Sequence, residues 1–293
     1  MSSWTSSPRR VDGGTGTDTP AERALRYVAA RSAGGPLAPA TPLTVSFHPD
    51  RDAAPGRSLL RSMADDGRYL SQFVTGTGNG GLTARPGGDR WLWESRIFGG
   101  AYDAAPAHER PVYGALNHRR DPAGGAPRFG SSYFVLRPHV LARATFCYPD
   151  SSTGPTDFGT ADRCALVPLA EAGGLDALDG HVEAQVHGPV RFDRDVAALV
   201  LDPSYRGTPV EADARLLPCP VEWHAGFRLT VEELAAHPGF RGPEYVALGR
   251  AIAVDGRLDP WIIGRAAATG RHDPQALKKV WHHVACFGAP PQP

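Results

Sequence analysis

The stretch that most constrains this chain is residues 180–190, GHVEAQVHGPV. Val182, Ala184 and Val186 alternate with His181, Glu183, Gln185 and His187. That is the two-residue period of a β-strand, in which successive side chains take opposite faces. The apolar set can pack on a core. The polar set then faces a cleft or solvent, from a strand at a sheet edge. Two readings are open: an amphipathic strand with a wet face, or a strand that presents a carboxylate for chemistry.

At 293 residues the chain has length for one large domain or two modest ones, with ample core either way. Hydrophobic residues make up 41% and charged residues 21%, so it reads as an ordinary soluble globular protein. Lys+Arg and Asp+Glu both number 31, which gives no electrostatic case for nucleic acid or an anionic membrane. Lys278 and Lys279 are the only lysines; with abundant Ala, Gly and Pro, this is the mark of a GC-rich coding genome. Cys147, Cys164, Cys219 and Cys286 are widely spaced, without a C-x-x-C pair. Zinc-ribbon and thioredoxin-like chemistry are therefore disfavoured. The chain has neither an ordinary secretory signal nor an apolar run long enough to span a bilayer. The expected location is cytoplasmic, or exported without a conventional signal peptide.

Residues 1–19 lack periodicity and read as a disordered tail. Thr19-Pro20, with Glu22 in the first turn, opens a helix. Leu43, Val45 and Phe47 alternate with polar residues in a first strand that Pro49 stops, delivering His48 and Arg51 at its end. An Arg fork there suits an anion; the alternative is a surface Arg paired with Asp50 or Asp52. A helix with Leu59, Leu60 and Met63 inward follows. Residues 71–103 are dense in Gly and aromatics: Trp91, Trp93, Phe98 and Tyr102 can stack on a planar ring, or simply be core. Short strands are expected at 110–117, 128–138 and 142–148, with Ser131 and Ser132 at the entrance of the second. Two hydroxyls there can bond a sugar or hold a carboxylate, though serine pairs are also common in turns. Residues 153–179 read as loop with a short helix near Leu169, and Val196–Leu201 as a returning strand. From about Tyr205 the chain turns helical, with a capping box at Thr230/Glu233 and caps at Asp259-Pro260 and Asp273-Pro274. Helices are placed at 241–254, 260–270 and 274–286.

G-x-G-x-x-G in dinucleotide-fold context, Walker G-K-[ST], H-E-x-x-H and G-x-S-x-G are all missing. His282 and His283 are adjacent and make a poor metal pair on a helix, so no metal is expected. What the residues do allow is cleavage of an N-glycosidic bond in a bound dinucleotide. One carboxylate stabilises the oxocarbenium-like sugar as its base departs. Arg51, Ser131 or Ser132, Glu183 and the aromatic cluster fit the remaining roles.

The order of LTVSFHPDR (43–51), RFGSSYFVL (128–136) and EAQVHGPV (183–190) resembles the Arg–Ser–Glu layout of the ADP-ribosyltransferase superfamily. More narrowly, the chain resembles a bacterial family of unknown function, DUF3626, over roughly residues 40–205. The resemblance implies an α+β fold of split, mixed β-sheets clasping NAD, with flanking helices, a catalytic domain over 20–205 and a mostly helical C-terminal extension over 206–293. It implies a mono-ADP-ribosyltransferase that moves ADP-ribose from NAD to an unknown, most simply protein, acceptor and releases nicotinamide. NAD is then a substrate, and a role as an effector fits. The alternatives are a NAD glycohydrolase or a catalytically silent nucleotide-binding module. Glu183, Gln185 and Ser131 are the implied catalytic residues; His48, Arg51, Ser131, Ser132, Trp91, Phe98 and Tyr102 are the implied NAD contacts. Glu183 preceding Gln185 departs from the toxin-type order, leaving open which of the two holds the acid's place; His48 can likewise replace Arg51.

Overall fold

The computed structural model describes residues 18–76, 84–176 and 178–289. Most of the expected tail, and residues 77–83 of the Gly-rich stretch, lie outside these. The architecture is α+β, built on an eight-stranded mixed sheet. Its strands in chain order are β1 (Leu43–Phe47), β2 (Val112–Leu116), β3 (Ser132–Leu136), β4 (Ala144–Tyr148), β5 (Asp157–Thr160), β6 (Val182–Val186), β7 (Val196–Leu201) and β8 (Val221–Trp223). Across the sheet the order is β8-β7-β3-β1-β2-β6-β4-β5. All neighbours run antiparallel except β7 and β8.

The sheet splits at its middle. β1 pairs with β3 along its whole length, from Leu43↔Leu136 to Phe47↔Ser132. It pairs with β2 only at Leu43↔Leu116 and Thr44↔Ala115. Beyond Thr44 the two strands part, and Ser46 on one side and Val112, Tyr113 and Gly114 on the other line a cavity. Gly114 permits the close approach at the fork: a Cβ there would lie 2.4 Å from the Thr44 carbonyl oxygen.

The strand carrying Glu183 is not at an edge, nor is its polar face wet. β6 lies between β2 and β4, and all five of its residues are buried. Val182, Ala184 and Val186 join the main core with Leu43, Phe134 and Leu199. A second apolar cluster packs helix α1 (Pro20–Arg31) and the segment Ile97–Tyr102 against Cys147 and Phe158 of β4 and β5. The period-two pattern is the same for a strand covered on one face or on both, which is why it could not tell the two apart.

Helix caps are where local chemistry is plainest. Thr19 and Glu22 form the reciprocal capping box of α1. Asp259 and Asp273 accept the backbone N–H of Ile262 and Ala276 at 2.9 and 2.8 Å. Those caps start the helices here called α2 (Pro260–Ala268) and α3 (Pro274–Phe287). Both N-termini fall where proline follows aspartate. The strands Asp157–Thr160 and Val221–Trp223 and the helix Asp89–Ile97, here α4, were not anticipated. β8 lies beyond residue 205, so the sheet extends past the expected end of the catalytic unit.

The C-terminal helices share a core of Leu234, Val246, Ile263, Leu277, Val280, Trp281 and Val284. Trp281 fastens this core to the sheet. It is buried, its indole N–H donates to the Pro127 carbonyl at 2.9 Å, and its ring meets His48 and Phe227 edge-on. Gly264 of α2 passes so near Asp50 that a Cβ would overlap the carboxylate. The four cysteines are free, and no helix among the described residues is long and apolar enough to cross a membrane. Trp281→Ala should cost about 3–5 kcal/mol in a urea or thermal denaturation experiment, since it empties the contact between two cores.

Candidate functional site

Two cavities meet below the fork in the sheet. The first, about 360 Å³, is lined by Ser46, Arg90, Trp93, Tyr113, Ser151 and Glu183 among others. The second, about 600 Å³, takes in His48, Arg51, Asp52, Met63, Trp281 and their neighbours. Both volumes fall in the ~300–1,000 Å³ range of small-molecule sites. Tyr69, Leu70, Gln72, Arg128, Phe129 and Lys278 line both, so the cavities are lobes of one cleft with a shared waist.

Glu183 is the carboxylate of the first lobe. The Ser151 hydroxyl donates to Oε2 at 3.1 Å, and the Gln185 amide donates to Oε1 at 2.9 Å. No salt bridge ties Glu183 down among the described residues. Behind it runs a one-way chain of hydrogen bonds. The Thr145 hydroxyl donates its single proton to the Gln185 carbonyl oxygen at 2.8 Å. Reversing the Gln185 amide would set its oxygen against the carboxylate, so this orientation is fixed by the network. Thr145 Oγ1 also lies 3.0 Å from His187 Nε2, which must therefore carry the ring proton. His187 Nδ1 is then the acceptor, and the Tyr102 hydroxyl donates to it at 2.7 Å. Tyr102, His187, Thr145 and Gln185 all present their donors toward Glu183. Gln185 lines neither lobe, and both ends of its amide are engaged. It positions the carboxylate.

Arg90 faces the same lobe from α4, where Arg90, Glu94 and Ile97 form the inward side. Its guanidinium lies over the Tyr113 ring at 4.2 Å and the Trp93 ring at 5.5 Å. Nε and Nη1 are buried with no hydrogen-bond partner. Burial works against the charge on Arg90, but Tyr113 and the Glu183 carboxylate favour it, and its pKa is raised. Glu94 is spoken for: Arg110 donates to it at 2.6 Å and the Tyr113 hydroxyl at 3.0 Å. Ser46 Oγ, Gln72 Oε1 and Arg128 Nε are likewise buried and unpartnered around this lobe. Such groups are costly to leave unmet. Five such atoms, on Ser46, Gln72, Arg90 and Arg128, belong to residues lining this lobe.

The anticipated residues scatter. Glu183 lines the first lobe, whereas His48 and Arg51 line the second, across the waist. Ser131 and Ser132 do not approach Glu183. The Ser131 hydroxyl bonds that of Tyr205 at 2.9 Å, and Ser132 Oγ accepts the Asp202 backbone N–H at 3.2 Å. The hydroxyl beside the carboxylate is Ser151's. Phe98 and Tyr102 are core, packed on His187. Trp91 lines neither lobe; the tryptophan that does is Trp93. Arg90, Tyr113, Ser151 and Arg128 escaped the sequence reading. An Arg–Glu pair at i,i+4 that brackets two tryptophans looks like a solvated helix face, and only packing turned it inward.

The α+β frame thus carries a split-sheet cleft whose first lobe holds the Glu183 carboxylate, without an ion pair among the described residues, and the Arg90 guanidinium, whose Nε and Nη1 have no hydrogen-bond partner. A family model described as "Protein of unknown function (DUF3626)" matches residues 43–172 and 165–285. The chain belongs to that family. No curated protein matches it. Among solved structures, Thermus sp. 2.9 DarT in complex with NAD+ matches at 13% identity and a TM-score of 0.35, over 63% of this chain and 95% of that one. That likeness is too slight to bear on this chain's chemistry. Among the described residues, no cluster of three or more His, Cys, Asp or Glu is placed to hold a metal ion.

Burial, then the Arg143 charge, depresses the His187 pKa from 6.5 to about 3. The folded protein thus refuses a proton that the unfolded chain accepts between those values. Its contribution to stability is complete above about 6.5 and lost as pH falls toward 3. His187→Gln, whose amide can replace the donation to Thr145, should flatten the fall of the urea midpoint over that window.

Proposed function

We propose that this protein is a NAD-dependent mono-ADP-ribosyltransferase of split-sheet type, acting at the first lobe with Glu183 as its catalytic acid residue. The observation that carries the reading is the carboxylate itself. It is buried in a cleft wall, free of any ion pair among the described residues, and held by Ser151 and Gln185.

In this reading the bond from ribose C1′ to the nicotinamide nitrogen breaks and its electron pair passes to the pyridinium ring. Nicotinamide leaves neutral, and positive charge grows at C1′ and the ring oxygen. A carboxylate already oriented by two donors stabilises that charge without reorganising. The acceptor's nucleophilic atom bonds to C1′ and releases its proton to solvent. Trp93 and Tyr113, which both line the lobe, offer aromatic surface for the leaving ring. The serine motif that first suggested the family layout is replaced in the cleft by Ser151, and its guanidinium by Arg90. Gln185, locked from both sides, leaves the acid's place to Glu183.

Incubation with NAD labelled in the adenylate half should transfer label to an acceptor in lysate and release nicotinamide. Glu183→Gln should lower turnover about 10²–10³-fold while NAD affinity holds, because the group acts chiefly on the transition state. Nicotinamide release without labelled acceptor would assign a glycohydrolase. Binding without turnover would leave a nucleotide-binding module. Absence of NAD binding would end the proposal.

A further inference from the structure

We infer that the C-terminal helix α3 is a wall of the ligand cleft, and that Lys278 on it is the anion-gripping residue of the waist, contacting the phosphates of a ligand that spans both lobes. This rests on the proposed reading only in taking that ligand to be NAD; the anion site stands on the geometry alone. Pro274, Gln275, Lys278 and Trp281 all line the second lobe, the spacing of one helix face. Lys278 lines the first lobe as well. The helix is held rigidly behind that face, with Leu277, Val280, Trp281 and Val284 buried.

Charge accounting singles out Lys278. Of the two other cations bordering the first lobe, Arg128 is ion-paired with Asp179, and Arg90 faces Glu183. Lys278 has no hydrogen bond or salt bridge among the described residues; the Asp150 carboxylate of the same lobe acts on it only through space, and its ammonium lies 6.0 Å from the Phe129 ring centroid. A half-buried ammonium over an aromatic face, at the neck between two cavities, has no anion in direct contact to compensate it. A ligand with its sugar at Glu183 and its remainder in the second lobe passes its central phosphates through this neck. A chain that otherwise uses arginine for every fixed cation places one of its two lysines there.

Burial, reinforced by Arg128 and Lys279 and opposed by Asp150, lowers the Lys278 pKa from 10.5 to about 8. Of the other ionisable groups lining the two lobes, His48 has its pKa lowered to about 3 chiefly by burial and stays neutral, burial pushes Tyr69 up to about 12 and raises Tyr113 as well, and Arg51, Asp52, Asp66, Arg90 and Glu183 are the charged side chains. An anion binds the charged ammonium. Affinity is then full below about pH 8 and falls above it.

The test is calorimetric titration of the full chain with inorganic pyrophosphate, NAD and nicotinamide. Lys278→Ala should weaken pyrophosphate and NAD about 10–100-fold, the worth of one charge-assisted hydrogen bond, and leave nicotinamide unchanged. Lys278→Arg should keep most of the affinity and carry it to higher pH. Lys279→Ala, altering a lysine that lines neither lobe, should bind as the parent does. Circular dichroism of each variant guards against misfolding. Pyrophosphate and NAD affinities within twofold of the parent in Lys278→Ala overturn the inference, as does a parent protein that binds no pyrophosphate. Lys278-dependent pyrophosphate binding without NAD turnover sinks the transferase reading and leaves the anion site standing. NAD turnover with unaltered binding in Lys278→Ala does the reverse.

Discussion

The parting of two strands after Thr44 is the constraint on which this molecule's cleft depends. β1 and β2 share two residue pairs and then separate, because Gly114 lets the chains touch at the fork while Ser46 and Tyr113 stand apart beyond it. A continuous sheet would have buried those side chains against each other. The fork instead opens a polar cavity in the middle of an otherwise apolar sheet, and β6 delivers Glu183 to it from the next strand but one. Unpaired edges inside a sheet are ordinarily a liability, and here the cavity gives them a purpose.

A carboxylate so deeply placed is tolerable only if its oxygens are met. Gln185 and Ser151 meet them, and the donors behind Gln185 extend to the Tyr102 hydroxyl. Each group in that series has its hydrogen-bond sense decided by the next. Residues with no exposure to the cleft thereby control how the one exposed to it is held. The aromatic pair Phe98 and Tyr102 serves this end, packing His187 and keeping it neutral.

The order of elements was largely legible from local chemistry. Alternation located β1 and β6, a continuous run of strand-forming residues located β7, and caps located the last helices, since aspartate followed by proline satisfies a helix start wherever it occurs. Glu183 was legible as a carboxylate on a strand. Arg51, Ser131 and Ser132 drew attention because they resemble a family's motif in linear order. Yet Ser131 spends its hydroxyl on Tyr205, 74 positions away, and Ser132 spends its own on the Asp202 backbone. Arg90 and Ser151 lay unremarked in a glycine-rich segment and a turn. A hydroxyl's neighbours are a matter of packing across long separations, and no window of sequence contains them.

By itself, then, the sequence determined the strand carrying the carboxylate and the helix starts, because each is decided by residues within a turn or two of one another, and the charge balance, because it is a sum over composition. Only the tertiary structure decided that this strand is central, that its polar face is buried and hydrogen-bonded, and that α4 and the C-terminal helix bring Arg90 and Lys278 to the cleft. The reason is physical. Periodicity reports which side of an element is apolar, whereas the worth of a polar group depends on what is packed against it.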